Sequence, residues 1–141
     1  MIARVGVAPS RVIVEVTEGS LLDDPECVRA ILERLRQAGV GAALDDFGTG
    51  YSSLNYLHSL PLRLLKIDRS FVQALDAGNA NSSTVVEAIL ALARALEIHV
   101  IAEGIETPRQ RTLLCNMVCE FGQGFLLGRP EPVEYWVAEP A

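Results

Sequence analysis

The sequence predicts an α/β domain built from parallel βαβ units, and three observations support this fold class. Short apolar runs alternate with stretches that have apolar residues at helical spacing along all 141 residues. No linker or low-complexity block interrupts the alternation, so residues 1–141 are predicted to form one domain. Polar residues also gather directly after the apolar runs, where α/β proteins place their sites.

The first half of the chain predicts three strands and two helices. The helix between the first two strands begins at Pro25, has apolar residues at i, i+3, i+4 and i+7, and ends at Gly39. A shorter helix passes through Leu54 and Leu57 and ends before Pro61. The strands are predicted at residues 11–16, 41–46 and 62–68.

The second half of the chain predicts two further strands and two longer helices. A polar loop over 76–83 leads to a helix whose apolar stripe runs from Val85 to Leu96. The next helix has Thr107 as its N-cap and Pro108 in its first turn. The strands are predicted at 99–103 and 121–127, with a weak helix at 133–138. This alternation predicts parallel strands whose C-terminal ends meet at one rim.

Composition excludes several classes of protein. The formal net charge of −6 argues against a general nucleic-acid binder, so no DNA partner is expected. No apolar run approaches the roughly 18 residues of a membrane span, and the N-terminus does not resemble a signal peptide. Three cysteines are too few for a disulfide scaffold. Together these features predict a reduced, cytoplasmic protein.

Five acids and a lysine stand out at the predicted strand ends. The polar residues at or just after these ends are Glu15, Asp45, Asp46, Lys66, Asp68 and Glu103. A single such residue is more often a helix cap or a solvated turn, but their convergence from four strands favours a functional site. The adjacent Asp45 and Asp46 would repel unless a cation compensates them, and hard cations such as Mg²⁺ take oxygen ligands.

A pair of divalent cations bound at this rim would make a hydrolytic reaction possible there. Two metals roughly 3.5–4 Å apart form a known clamp for phosphodiester hydrolysis. Ideal strand geometry points Asp45 and Asp46 to opposite faces, so we expect the backbone to turn at the strand end. Lys66 would add positive charge toward a phosphate, and Glu103 would bind a metal or accept a proton from water. The Gly-Thr-Gly segment that follows is explained equally well by a loop over a ligand and by a strand-to-helix turn.

Five motifs occur in order along nearly the whole chain. They are EVTE from residue 15, DDFGTGYSS from 45, LKID from 65, AEGIE from 102, and QGF from 123, which continues as LLGRP. Together they resemble the EAL domain family of bacterial cyclic-di-GMP phosphodiesterases. The resemblance implies a TIM-like barrel and a second-messenger signalling enzyme that hydrolyses cyclic di-GMP to linear pGpG, using Mg²⁺ or Mn²⁺ at a two-metal site.

The resemblance also implies a role for each matching residue. The implied metal ligands are Glu15, Asp45, Asp46 and Glu103. Asp45 would be shared between the ions, and Glu103 would alternatively act as the general base. Lys66 is implied to orient water or phosphate as the second catalytic residue, and Gln123 to bind water or substrate.

A loop next to the site is implicated in the same way. Glu18 is implied to steady the loop that begins at Phe47, which in this family is tied to dimerisation and regulation. The implied loop residues are Gly48, Thr49 and Gly50.

The chain departs from the family pattern on its N-terminal side. It has neither a Glu-Ala-Leu motif nor the asparagine ligand that the family places between that motif and the position of Glu15. Five predicted strand–helix units, against eight in a complete barrel of typically about 250 residues, indicate the C-terminal portion of an EAL domain. A full-length parent would add the missing EAL segment and sensory or GGDEF domains.

This departure predicts association and weak activity. Five parallel strands cannot close, and open edges invite pairing, so we expect a homo-oligomer or dependence on the missing segment. With two implied metal ligands absent, turnover by the isolated chain should be impaired. The alternative function is a non-catalytic module that binds cyclic di-GMP or a protein. A kinase fragment is disfavoured, because no His-Arg-Asp loop accompanies the Asp46-Phe47-Gly48 triplet.

Overall fold

The computed structural model describes residues 6–48, 57–76 and 80–137, whose five strands form one parallel sheet in chain order. The strands are β1 (Ile13–Thr17), β2 (Gly41–Phe47), β3 (Leu64–Ile67), β4 (His99–Ala102) and β5 (Phe121–Gly122). Every pair is parallel and neighbours in the sheet are neighbours in the sequence, as in a (β/α) barrel. The predicted α/β class with about five units is confirmed.

Helices connect the strands and cover one face of the sheet. Within the described ranges they are α1 (Glu18–Asp23), α2 (Pro25–Gln37), α3 (Arg69–Asp76), α4 (Ala80–Ala95), α5 (Pro108–Asn116) and α6 (Val133–Val137). Both predicted proline starts are confirmed: the Asp24 carboxylate accepts the Cys27 N–H at 3.0 Å before α2, and Thr107 caps α5. No helix in the described part of the chain is both long and apolar enough to cross a membrane.

The core lies between the middle of the sheet and the helices. All four residues of β3 are buried, and this strand has a neighbouring strand on each side. Leu44, Leu65, Ile67 and Ala102 from the three central strands are almost inaccessible to solvent. The edge strands differ, since Ile13 of β1 is 40% exposed and Phe121 of β5 is 52% exposed. Apolar surface is therefore left at both edges of the described sheet.

Several predicted boundaries were wrong for identifiable reasons. The first strand starts at Ile13 because Pro9–Arg11 forms a 3-10 turn. The polar residues 80–83 belong to α4 rather than to a loop, and α1 and α3 were not predicted at all. β5 ends at Gly122 because the chain then turns, with the Leu127 N–H donating to the Gly124 carbonyl at 3.0 Å. The short helix predicted through Leu54 falls mostly outside the described residues.

Candidate metal centre

Residues from all five strands share one face at the C-terminal rim. They are Glu15, Asp45, Lys66, Glu103 and Gln123. Along the register of the sheet, successive members of this group are level with each other or offset by two residues. Alternate residues of a strand share a face, so all five lie on the same face. The parallel register therefore brings together side chains that are far apart in the sequence.

Lys66 lies at the centre of this group. Its Nζ is 2.7 Å from Glu103 Oε1, and 3.0 Å from both Glu15 Oε1 and Asp45 Oδ1. The Lys66 side chain is only 8% exposed. Burial opposes its charged form, but hydrogen bonds to Glu103, Glu15 and Asp45 outweigh burial and raise the pKa of Lys66. Lys66 is thus a fixed positive charge and cannot act as a base near neutral pH.

A turn in the backbone lets both aspartates reach the same site. Asp46 adopts a left-handed conformation with φ of 56°, and the pairing of β2 with β3 shifts register between Leu44 and Phe47. Because of this turn, carboxylate oxygens of Asp45, Asp46 and Glu103 lie within 4.8 Å of one another. Strict alternation would have separated the aspartates, as anticipated from the sequence.

This donor set fits a divalent cation. Three carboxylates present hard oxygen atoms at separations that a single ion can bridge, which matches the ligand preference of Mg²⁺ and Mn²⁺. Glu15 joins the group from the edge strand, with a side chain that is 52% exposed. All four acids implied as metal ligands therefore face one small volume around Lys66 or beside it.

Gln123 is linked directly to Glu103. Its Nε2 donates to Glu103 Oε1 at 2.6 Å, the same oxygen that contacts Lys66. The Glu103 N–H donates to the Ile67 carbonyl at 3.1 Å, and the Gln123 N–H donates to the Ala102 carbonyl at 2.9 Å. These bonds fix both backbones, so one Glu103 oxygen is held by the protein while the carboxylate keeps acceptor capacity for a ligand.

The loop after β2 is held by Glu18. The Gly48 N–H donates to Glu18 Oε2 at 3.3 Å, and Glu18 is 6% exposed. Gly48 has φ of +96°, and a Cβ there would lie 2.8 Å from the Phe71 ring, so this position requires glycine. The contact between Glu18 and Gly48 agrees with the implied steadying role. Thr49 and Gly50 lie outside the described residues.

A groove that sequence reasoning missed continues from the acidic cluster. It has a volume of about 590 Å³, and its wall includes Glu103, Gln123, Phe125, Arg69 and Arg129. The Arg129 guanidinium lies 4.4 Å above the centroid of the Phe125 ring. Among the described residues, neither arginine forms an ion pair. The sequence offered one signal for this groove: a basic residue, Arg69, follows the LKID motif, and another, Arg129, lies within LLGRP.

Comparison with known proteins gives consistent matches over the chain. The family model for the EAL domain matches residues 1–130. The bifunctional diguanylate cyclase/cyclic di-GMP phosphodiesterase MucR of Pseudomonas aeruginosa is 47% identical over 138 residues. A solved complex of the MucR phosphodiesterase with cyclic di-GMP superposes with a TM-score of 0.91 at 46% identity. A manganese and cyclic di-GMP complex of BlrP1 from Klebsiella pneumoniae superposes with a TM-score of 0.84 at 33% identity.

The extent of these matches is unequal. The MucR alignment covers 98% of this chain and 20% of MucR. The structural matches cover 96% of this chain and 55% of the MucR phosphodiesterase, and 92% of this chain and 33% of BlrP1. The chain thus spans about a fifth of MucR and about half of the solved phosphodiesterase.

Proposed function

The chain belongs to the EAL domain family, and on that premise we propose that it provides the metal centre of a phosphodiesterase that hydrolyses cyclic di-GMP to linear pGpG with Mg²⁺ or Mn²⁺. The observation that carries the proposal is the convergence of Glu15, Asp45 and Glu103 on Lys66, with Asp46 turned toward the same place. Acids from separate strands are brought within reach of a shared cation.

Asp45, Asp46 and Glu103 would hold the cation, with Glu15 beside them. A bound divalent cation supplies a Lewis acid that activates water and neutralises charge on a phosphate. The protein's own contribution is a rigid donor set, since Glu103 and Asp45 are tied to Lys66 before any ligand arrives. Preorganised donors avoid reorganisation during the reaction, which is where this kind of electrostatic stabilisation gains its effect.

Lys66 and Glu103 would divide the remaining work. The raised pKa of Lys66 keeps its ammonium protonated, so it would bind a phosphate oxygen or a water rather than accept a proton. The Glu103 carboxylate would accept a proton from the attacking water, and Gln123 orients this carboxylate through its hydrogen bond to Oε1. Glu103 as a metal ligand and Glu103 as the base are both compatible with this geometry.

The groove beside the cluster suits the rest of the substrate. Cyclic di-GMP carries two phosphates and two purine bases, and the groove offers two arginines without ion pairs in the described part of the chain, together with an exposed aromatic ring. Arginine binds phosphates and purine edges through paired N–H groups, and aromatic rings stack on bases. The two arginines and the aromatic ring support a nucleotide substrate, although Glu103 and Glu106 also line the groove.

A non-catalytic module is the second candidate. The chain contains no Glu-Ala-Leu motif, and Lys66 already compensates three of the acids without any metal. We therefore propose that the 141-residue chain hydrolyses cyclic di-GMP slowly by itself and still binds this nucleotide. The exposed Ile13 and Phe121 on the two edge strands favour association, either with a second copy or with further EAL segments such as those of its longer relatives.

Two measurements separate these functions. Chromatography of cyclic di-GMP incubated with the chain and Mn²⁺ should show slow formation of pGpG, and Glu103→Gln should abolish it. Calorimetry with cyclic di-GMP should show binding in both proteins. Binding without any pGpG would favour the non-catalytic candidate, and the absence of both would contradict the proposal. Light scattering at high concentration should show an oligomer, and a monodisperse monomer would contradict the expected association.

A further inference from the structure

We infer that Gln110 is a positioning residue for the metal centre, because its buried amide holds the loop that presents Glu103 and contacts Gln123. The inference rests on the proposed function for the existence of the metal centre, and its test reads metal affinity and loop protection separately from turnover. Gln110 lies in the first turn of α5, and it acts through the loop residues Glu106 and Thr107 rather than by contact with the acids.

Gln110 is buried to 2% exposure and makes three hydrogen bonds to the loop before its helix. Its Oε1 accepts the Glu106 N–H at 2.8 Å and the Thr107 N–H at 3.0 Å. Its own N–H donates to Thr107 Oγ1 at 3.1 Å, which completes a capping box. One buried oxygen thus satisfies two consecutive backbone donors, and nothing else among the described residues binds those two N–H groups.

The loop held by Gln110 is the one that joins the two site residues. Residues 103–107 lead from Glu103 into α5, and the Ile105 N–H donates to the Gln123 carbonyl at 3.0 Å. Gly104 has φ of +71°, and a Cβ there would lie 2.6 Å from the Arg69 Cβ, so the loop is also packed closely against Arg69. Displacement of the loop at Gln110 would therefore be transmitted to both Glu103 and Gln123.

A second set of contacts ties this loop to the segment that carries Lys66. Thr107 Oγ1 donates to Asp76 Oδ2 at 3.0 Å, and Arg109 Nη1 donates to the Asp76 carbonyl at 2.6 Å. Asp76 ends α3, whose first residue lies three positions after Lys66. The helix α3 consequently links the lysine strand to the glutamate loop, and the two ends of the Lys66–Glu103 ion pair are held by one connected frame.

Metal ligands must be held within about half an ångström of their working geometry, so loosening this frame should weaken the site. Gln110→Met keeps the volume of the side chain and removes the acceptor, leaving two buried N–H groups without a partner. Gln110→Glu keeps the acceptor, and glutamate is the other residue that closes a capping box. The two variants therefore differ in the one property that the inference invokes.

Calorimetric titration with Mn²⁺ tests the inference. Partners that touch a ligand directly typically contribute about 10- to 100-fold in affinity, so a residue one step further away should give a loss of about 3- to 10-fold in Gln110→Met. Gln110→Glu should stay within about twofold of the parent chain. Hydrogen exchange of the Glu106 and Thr107 amides should accelerate in Gln110→Met alone. Thr112→Val, which removes an exposed bond to the Pro108 carbonyl on the same helix, should change neither readout.

Two results would overturn the inference: parent-like Mn²⁺ affinity in folded Gln110→Met, or an equal loss of affinity in Gln110→Glu. If Gln110→Met does not fold, Asp76→Ala takes its place. It removes the bond from Thr107 Oγ1 to the Asp76 carboxylate and keeps the backbone carbonyl that Arg109 contacts, and unchanged Mn²⁺ affinity there would also count against the inference. Graded Mn²⁺ affinities in a chain that forms no pGpG would support the positioning role while the proposed hydrolysis failed.

Discussion

Polar groups are paired in different ways at the two ends of the sheet. At the C-terminal rim the buried Lys66 is surrounded by three carboxylates at 2.7–3.0 Å, which compensate its charge. At the opposite end, where helices α2, α4 and α5 end, backbone N–H groups satisfy the last carbonyl groups of each helix. The first arrangement favours function and the second favours stability.

The three helix ends at that opposite pole share one motif. Each ends with a residue in the left-handed region, namely Gly39 (φ 82°), Glu97 (φ 57°) and Val118 (φ 60°). After α5, the Val118 N–H donates to the Cys115 carbonyl and the Cys119 N–H to the Leu114 carbonyl, both at 3.0 Å, which is the Schellman pattern. Glycine suits this position, and a β-branched residue is strained in it.

The contrast separates two kinds of strain. The positive φ of Asp46 at the rim turns a carboxylate into the candidate site, so its cost has a functional return. The positive φ of Val118 closes a helix that glycine would close better, and no described contact uses its 70% exposed side chain. Variants at the rim should therefore change metal binding and turnover, whereas variants at the opposite end should change stability alone.

The largest effect is expected from Asp45→Asn. This change keeps the shape of the side chain and removes the charge that contacts Lys66 and faces the cation. Turnover of cyclic di-GMP should fall by on the order of 10²–10³, because a charged ligand of the cation that activates water is lost. Chromatographic assay of pGpG measures the loss. Glu26→Gln, on an exposed ion pair of α2, is the matched control and should retain full activity. Unchanged turnover in Asp45→Asn would show that the acids at the rim are not needed for hydrolysis.

Lys66→Met should give the next largest effect, on the stability of the metal-free chain. Three carboxylates would lose their shared counter-charge, and removal of one partner from a buried cluster costs several kcal/mol, reduced here to about 2–3 kcal/mol because Glu15 is half exposed. Urea unfolding in EDTA measures this loss. Because the pKa of Lys66 is raised, its contribution is present at neutral pH and is lost on the alkaline side only as the pH rises beyond the ordinary range of a lysine. An unchanged urea midpoint would show that the cluster is solvated.

Val118→Gly should act in the opposite direction at the opposite end. Relief of the left-handed valine, less the entropy of an added glycine, should raise the free energy of unfolding by about 1 kcal/mol. Urea unfolding measures the gain, and the turnover rate should be unchanged. The converse control is Gly39→Val. A Cβ on Gly39 meets the Pro9 Cβ at an ordinary 3.5 Å, so any loss there reports backbone strain rather than a clash. A destabilised Val118→Gly variant would contradict the strain argument.

Cysteine reactivity gives the smallest test of the contrast. Burial raises the pKa of the Cys119 thiol, and the thiol donates a hydrogen bond to the Phe121 carbonyl. Cys27 and Cys115 are exposed. Because the thiolate is the nucleophile, alkylation of Cys119 near pH 8 should be at least about threefold slower than that of the other two. Mass spectrometry of time-resolved labelling measures the order, and fastest labelling at Cys119 would show that this end opens readily.

Sequence patterns predicted the parts of the molecule that depend on periodicity. The apolar stripes of α2 and α4, the proline starts of α2 and α5 and the order of the strands could all be predicted, because each follows from a local pattern. The family motifs also pointed to the acids that the sheet brings together. Glu15 and Glu103 are 88 positions apart in the sequence, and parallel pairing is what places both on Lys66.

Other features could not be predicted because they depend on tertiary contacts. The sequence predicted a turn at the end of β2, but its left-handed form at Asp46 goes with the irregular pairing of β2 with β3, which no local pattern encodes. The short strand β5 reflects the close approach of Gly124 to the backbone of Ile105, where a Cβ would lie 2.2 Å from nitrogen. The groove depends on Arg69 and Arg129, which are distant in the sequence, lining the same cleft. Gln110 was legible in part, since the Thr-x-x-Gln spacing of its capping box is present in the sequence.

Titration of Mn²⁺ into the parent chain, Asp45→Asn and Lys66→Met tests the central claim most directly. If the acids at the rim form a cation site with Lys66 as their internal counter-charge, Asp45→Asn should weaken Mn²⁺ binding and Lys66→Met should strengthen it. Removal of a competing positive charge at this range should give an increase of about tenfold. Equal Mn²⁺ affinities in all three proteins, or binding that Lys66→Met weakens, would contradict the claim.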